Sequence, residues 1–209
     1  MKRIEKLLKA LPEQIDALLV TNYKNQKYLT GFDFEDGLVV VTRNGSYLLT
    51  DPRYIEAAKK ETDPQFQVML FSGKLSYQLT SLLSGCKTVG YEDASITVER
   101  KNSYERALPG FTLVPAGRII EKLREIKKPC EIEKIVAAQR IAEKAFDHIL
   151  GFITPDRTET EVALELEFTM RRLGAKSTSF NTIAVSGKKS ALPHGVPEAR
   201  KLERGFFTL

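Results

Sequence analysis

Short apolar runs alternate with helix-forming stretches as far as Val114, and then the alternation stops. That change of rhythm is what most limits how the chain can fold. Ala17 to Val20 is too short an apolar run for a helix, follows a helix-like segment over residues 1–11, and predicts a buried strand. Residues 38–42 and 46–50 flank Asn44-Gly45, a strong hairpin signal. Asp51-Pro52 offers an N-cap followed by proline at the first helical position, which predicts a helix from Arg53 to Lys60. Further strands are expected at 66–71, 88–91 and 111–114, with helices at 74–84, which Gly85 can end, and 98–108. A hairpin followed by βα alternation implies an α/β domain, its mixed sheet packed by helices.

After Pro115 the chain is almost all helix former as far as Leu150, broken once at Lys128-Pro129. At about 100° per residue, Ile132, Ile135, Val136, Ala142, Phe146 and Ile149 share one stripe. Thr158-Glu-Thr-Glu161 is a capping box for a helix to Leu173, with Gly174 as its stop. Val162, Leu166, Met170 and Leu173 lie on one side of that helix, Leu164 and Phe168 nearly opposite, so it expects cover on both. A strand at 179–185, a loop through Pro193 to Pro197 and a strand opening at Phe206 complete the pattern. Two domains follow, 1–119 and 120–209. The apolar ending Gly205-Phe-Phe-Thr-Leu209 expects a partner strand or a continuation.

Composition removes other classes. With 42% hydrophobic and 28% charged residues, the chain can fill a core and is not disordered. No stretch approaches the roughly 18–20 apolar residues of a membrane span, and the N-terminus lacks a signal-peptide core. Two cysteines, Cys86 and Cys130, make no disulfide framework or thiolate zinc site, so a cytoplasmic location is expected. The net charge of +5 is spread among interleaved glutamates, with no basic face and no aromatic interleaving, so no nucleic-acid partner is expected. There are two histidines, His148 and His194, too few for chemistry needing several imidazoles.

His194 lies in Ser190-Ala-Leu-Pro-His-Gly-Val-Pro197, where two prolines stiffen the chain and Gly195 would allow a ligand close to the backbone. A substrate contact or proton donor is one reading, and a loop histidine bonded to a carbonyl is the plainer one. His148 falls off its helix's apolar stripe, near the C-terminal end, as a solvated, dipole-complementing side chain would. Glu161 and Glu165 are four apart, as two ligands of one metal can be, but no imidazole stands at the matching spacing, and a solvated face is favoured. Ser186-Gly-Lys-Lys-Ser190 fails as a phosphate loop, having Thr182 and Lys189 where glycine and a hydroxyl are needed. Neither cysteine has a base nearby in sequence.

The run from Ser179 to Pro197 closely resembles the opening of the pita-bread catalytic domain of the aminopeptidase P and Xaa-Pro dipeptidase (prolidase) family. Leu123-Arg-Glu-Ile-Lys127, Glu131-Ile-Glu133 and Thr158–Glu161 resemble that family's entry helices, with Asp156 where glycine is usual. Tyr28-Leu-Thr-Gly31 and Thr50-Asp-Pro-Arg-Tyr54 are similar to its creatinase-type N-terminal domain. The resemblance implies a creatinase-like domain over 1–119 and part of an α+β pita-bread domain over 120–209. It implies a metallopeptidase that removes an N-terminal residue preceding proline, with two divalent metals, often manganese, acting on proline-containing peptides as a homodimer. His194 would hydrogen-bond substrate. The family's first metal-ligating aspartate would follow the segment ending at Leu209, so none of its five metal ligands is expected here, and the 209-residue chain is expected to hydrolyse nothing. The alternative is a non-catalytic peptide-binding or subunit-pairing module of the same fold. A metal-free creatinase-like hydrolase would also need the residues that follow.

Overall fold

The computed structural model describes residues 2–209, which form two compact units, one ending at Ile126 and one running from Lys127 to Leu209.

The first unit is built on a six-stranded sheet, β1 (Ala17–Val20), β2 (Gly37–Thr42), β3 (Ser46–Thr50), β4 (Phe66–Leu70), β5 (Thr88–Tyr91) and β6 (Thr112–Pro115), in the order β4-β3-β2-β1-β5-β6. β2 runs antiparallel to β1 and β3, while β4, β5 and β6 add in parallel, so the sheet is mixed as expected. Both faces are covered. Leu18, Val20, Val39, Val41 and Leu48 face a cluster that includes Ile4 and Leu7 of α1 (Arg3–Ala10), Leu29 of α2 (Tyr23–Thr30), Ala58 of α3 (Ile55–Glu61) and Ile120 of α6 (Ile119–Glu125). The alternate residues Ala17, Leu19, Leu38, Val40 and Leu49 join Leu79 of α4 (Leu75–Leu82) and Tyr104 of α5 (Val98–Ala107). A strand covered on both sides has no solvent face to make polar, which is why β1 and β2 read as unbroken apolar runs.

Local chemistry shifts several boundaries. The hairpin turn spans Thr42 to Gly45, with Thr42 N donating to Gly45 O at 2.8 Å. The Thr42 hydroxyl accepts the amides of Asn44 and Gly45 at 3.2 and 3.0 Å, so a threonine turn organises the hairpin beneath the Asn-Gly pair. Asp51 caps a tight turn by accepting Arg53 N at 2.7 Å, and α3 begins at Ile55, two residues later than expected. α2 has no apolar periodicity to announce it. Asn22 opens it by accepting Lys24 N at 3.0 Å, and Gly31 closes it at φ +78°, a left-handed conformation that favours glycine. Two carboxylates tie distant segments together. Asp16 accepts Lys87 N and Thr88 N, and Glu92 accepts Thr21 N at 2.5 Å, Asn22 N at 2.7 Å and Asn25 Nδ2 at 2.7 Å. α6, expected to open the second domain, buries Ile120 in the first unit, and Arg124 donates to Asn25 Oδ1 at 2.8 Å.

The second unit pairs α7 (Pro129–Phe152) with α8 (Glu159–Arg172). Pro129 occupies the first turn of α7, where a missing N–H is harmless. The packed face differs from the stripe expected from periodicity. Ile149 is buried, with Phe152 packed alongside, in a cluster with Val162, Ala163 and Leu166 of α8, and Ala145, one turn earlier, is buried too. Ile132, Ile135, Val136 and Phe146 are exposed, as are Leu164 and Phe168. The strand expected over 179–185 is reduced to β7 (Val185–Ser186), which pairs antiparallel with β8 (Phe207–Thr208), where the strand opening at Phe206 was expected. No described helix is long and apolar enough to cross a membrane.

Candidate functional site

The geometry of the second unit centres on the first turn of α8. Thr158 is its N-cap. The Thr158 hydroxyl accepts Glu161 N at 3.2 Å, and Glu161 Oε2 accepts Thr158 N at 2.7 Å, the reciprocal pair expected from the sequence. These bonds hold the Glu161 carboxyl below the usual range, first through the Thr158 amide.

Glu159, beside the cap, is fully buried, and its carboxylate gathers donors from a segment 27 to 41 residues away. Oε1 accepts Ser186 N at 2.8 Å and Arg200 Nε at 2.9 Å. Oε2 accepts Glu198 N at 3.1 Å and lies 3.5 Å from Lys189 Nζ. Burial alone would raise this carboxyl, but Arg200 and the amides of Ser186 and Glu198 outweigh it and bring it down to about 2. The backbone reinforces the arrangement, since Glu159 N donates to Arg200 O and Thr160 N to Glu198 O, each at 3.1 Å. Arg200 also donates to Ser186 O and pairs with Glu203 at 2.8 Å.

From Ser186 the chain makes a 3-10 turn (Gly187–Ala191), reaches Pro193-His194, and returns to Glu198. His194 sits exposed in this loop, while the next residue, Gly195, is buried. A Cβ at Gly195 would lie 3.0 Å from both Val185 methyls. The glycine therefore lets the loop lie against β7, a tighter fit than the ligand access anticipated from sequence. Lys189, the misplaced lysine of the failed phosphate loop, bonds Val196 O at 2.6 Å and Glu198 at 2.8 Å, so its ammonium closes the loop across its own width. A neighbouring hollow is lined by Lys188, Ser190, Glu203, Arg204, Phe206 and Phe207, and His194 is not part of its lining.

The remaining candidates have local partners. His148 is exposed with Nε2 2.7 Å from Glu165 Oε1, and Glu165 also takes Arg172 at 3.1 Å. The bond from His148 is the chief reason the Glu165 carboxyl lies low. Glu161 and Glu165 thus serve a cap and an ion cluster. Among the described residues, no group of three or more His, Cys, Asp or Glu side chains could hold a metal ion. Cys130 is exposed, and Cys86 is half-buried with its thiol pushed up by burial. Glu159 escaped sequence reasoning. The capping box drew attention to Thr158 and Glu161, and nothing local marked the glutamate between them as the buried one.

Comparison with known proteins covers both units. The creatinase/prolidase N-terminal domain family matches residues 3–126, and metallopeptidase family M24 matches residues 133–209. An uncharacterized peptidase of Bacillus subtilis is 39% identical over 91% of this chain and 54% of its own length. The Xaa-Pro dipeptidase of Pyrococcus furiosus is 31% identical over 98% of this chain and 58% of its own. Among solved structures, an Xaa-Pro dipeptidase from Bacillus anthracis superposes with a TM-score of 0.89 at 35% identity, covering 96% of this chain and 57% of that one. The chain spans about half the length of the relatives it matches.

Proposed function

The chain belongs to the Xaa-Pro dipeptidase and aminopeptidase family, with a creatinase/prolidase N-terminal domain followed by part of an M24 peptidase domain, and we propose that its whole protein removes the residue preceding proline from peptides. The observation that carries this reading is the placement of His194. Its imidazole is exposed on a loop fastened at both ends, so it can meet a peptide carbonyl without first being ordered. In this reading His194 hydrogen-bonds the substrate, and the whole protein works as a cytosolic homodimer.

The family's divalent metals are a separate matter. The described residues offer no group of three ligands, so they do not fit a metal pair. What this chain's residues can do is bind and orient. The 209-residue chain is therefore expected to bind proline-containing dipeptides without hydrolysing them. The same observation favours a second reading, a peptide-binding module that performs no chemistry.

Both halves are testable on the purified chain. Titration with Ala-Pro, followed by the His194 ring-proton resonance, should give a saturable shift, and no shift at millimolar peptide would count against substrate contact. Incubation with Ala-Pro and manganese should release no free proline. Chelator-sensitive release would sink the binding-only role.

A further inference from the structure

We propose that Glu159 is a positioning residue for His194, a single buried carboxylate that fastens both ends of the loop carrying the histidine. The inference rests on the proposed role of His194 for its meaning, but on the geometry of Glu159 for its content.

The Glu159 carboxylate is met by donors: two backbone amides, the Ser186 hydroxyl, a guanidinium and an ammonium. An ionised carboxylate accepts only, so it matches this set where an amide or hydroxyl would present a donor to another donor. The two amides flank the histidine in sequence. Ser186 N lies before His194 and Glu198 N after it, and both point to the same side chain. Arg200 repeats the connection by donating to Glu159 and to Ser186 O together. With residues 186 and 198 fastened, the free segment shrinks to 187–197. The Lys189 bond to Val196 O and the seating of Gly195 on Val185 restrict it further. His194 is exposed, so no packing of its own ring would hold it in place. Its position is inherited from a carboxylate that touches no substrate.

The two histidines supply a test with an internal reference. His148 is bonded to Glu165, a different carboxylate, so its ring proton reports the α7–α8 pair while that of His194 reports the loop. In Glu159→Gln the side chain keeps its size but loses its charge and one acceptor. The His194 resonance should move towards its free-peptide position while that of His148 stays. Amides of residues 186–198 should lose roughly tenfold or more of their hydrogen-exchange protection, the scale of one charge-assisted hydrogen bond. An unmoved His194 resonance with unchanged loop protection overturns the proposal. If both histidines move together, the variant has lost its fold and the unmodified chain decides. There, Ser186 and Glu198 amides protected roughly tenfold or more over a free peptide support the clasp, and free-peptide exchange overturns it. A wild-type His194 that ignores Ala-Pro counts against the substrate role, and the Glu159→Gln comparison is unaffected by that result.

Discussion

Ile149 and Ile135 share a helix, a residue type and, by periodicity, a stripe, yet one is fully buried and the other is 55% exposed. Replacing each with alanine therefore separates the packing in the structure from the pattern in the sequence. Ile→Ala removes about three methylene equivalents, worth about 2.4 kcal/mol if wholly buried. At Ile149 a cavity of roughly 80 Å3 would add up to about 2 kcal/mol, and the better helix propensity of alanine returns about 0.5 kcal/mol. A loss of about 2–4 kcal/mol is expected. At Ile135 less than half of the transfer energy applies and no closed cavity forms, so the loss should be about 0.5 kcal/mol. Fluorescence is a poor assay for this, since the chain has no tryptophan and its seven tyrosines all lie between Tyr23 and Tyr104, in the first unit. Both histidines lie in the second unit, so urea titration followed by the His148 ring proton reads the relevant transition. Equal losses at the two positions, or a loss under about 1 kcal/mol at Ile149, would refute the packing described for α7 and α8.

Three further outcomes are expected. The Glu159 carboxyl is lowered from 4.5 to about 2, so its contribution is present above 4.5 and is lost as pH falls towards 2; His194 loop protection should decline across that window in the wild type and stay flat in Glu159→Gln. Glu92 has the opposite sign: burial raises its carboxyl, so above 4.5 the wild type loses stability relative to Glu92→Gln as pH rises, measurable by tyrosine fluorescence in urea, and a pH-independent difference would contradict it. Exposed Cys130 should react with a maleimide before Cys86, whose thiol is half-buried and raised, and peptide mapping after brief labelling reads the order.

Features that depend on neighbours in sequence were largely legible. The strands of the first unit, the Asp51 turn and the capping box at Thr158 each combine a local pattern with a local bond, so composition and spacing located them within a few residues. What sequence reading missed depends on distance. α2 shows no apolar periodicity because Asn25 and Gln26 are buried polar residues, and Asn22 and Gly31 were the signals that could have found it. The α7 stripe follows from periodicity alone, which ranks faces without showing which neighbour arrives. Ile149 and Phe152 join α8 residues in one apolar cluster, while Ile132, Ile135, Val136 and Phe146 of the same helix stay exposed. The His194 loop is marked in sequence by its prolines and by its family resemblance, whereas the carboxylate that holds it lies 27 residues before Ser186 and carries no local mark.

In the sheet, β1, β2 and β3 are consecutive strands that are also antiparallel neighbours, β1 reaching β2 through α2 and β2 reaching β3 by the tight turn at Thr42–Gly45. β5 reaches β1 only after a long parallel crossover, and the Glu92 bond to Thr21 closes a separation of 71 residues. Chain closure over that length costs entropy before any contact repays it, so folding of this unit should start in the β1–β3 meander and finish with the docking of β5 and β6. Substitutions in the meander, such as Leu48→Ala, should slow refolding, while Val89→Ala in β5 should chiefly speed unfolding. Stopped-flow tyrosine fluorescence would show the reverse pattern if the crossover forms first.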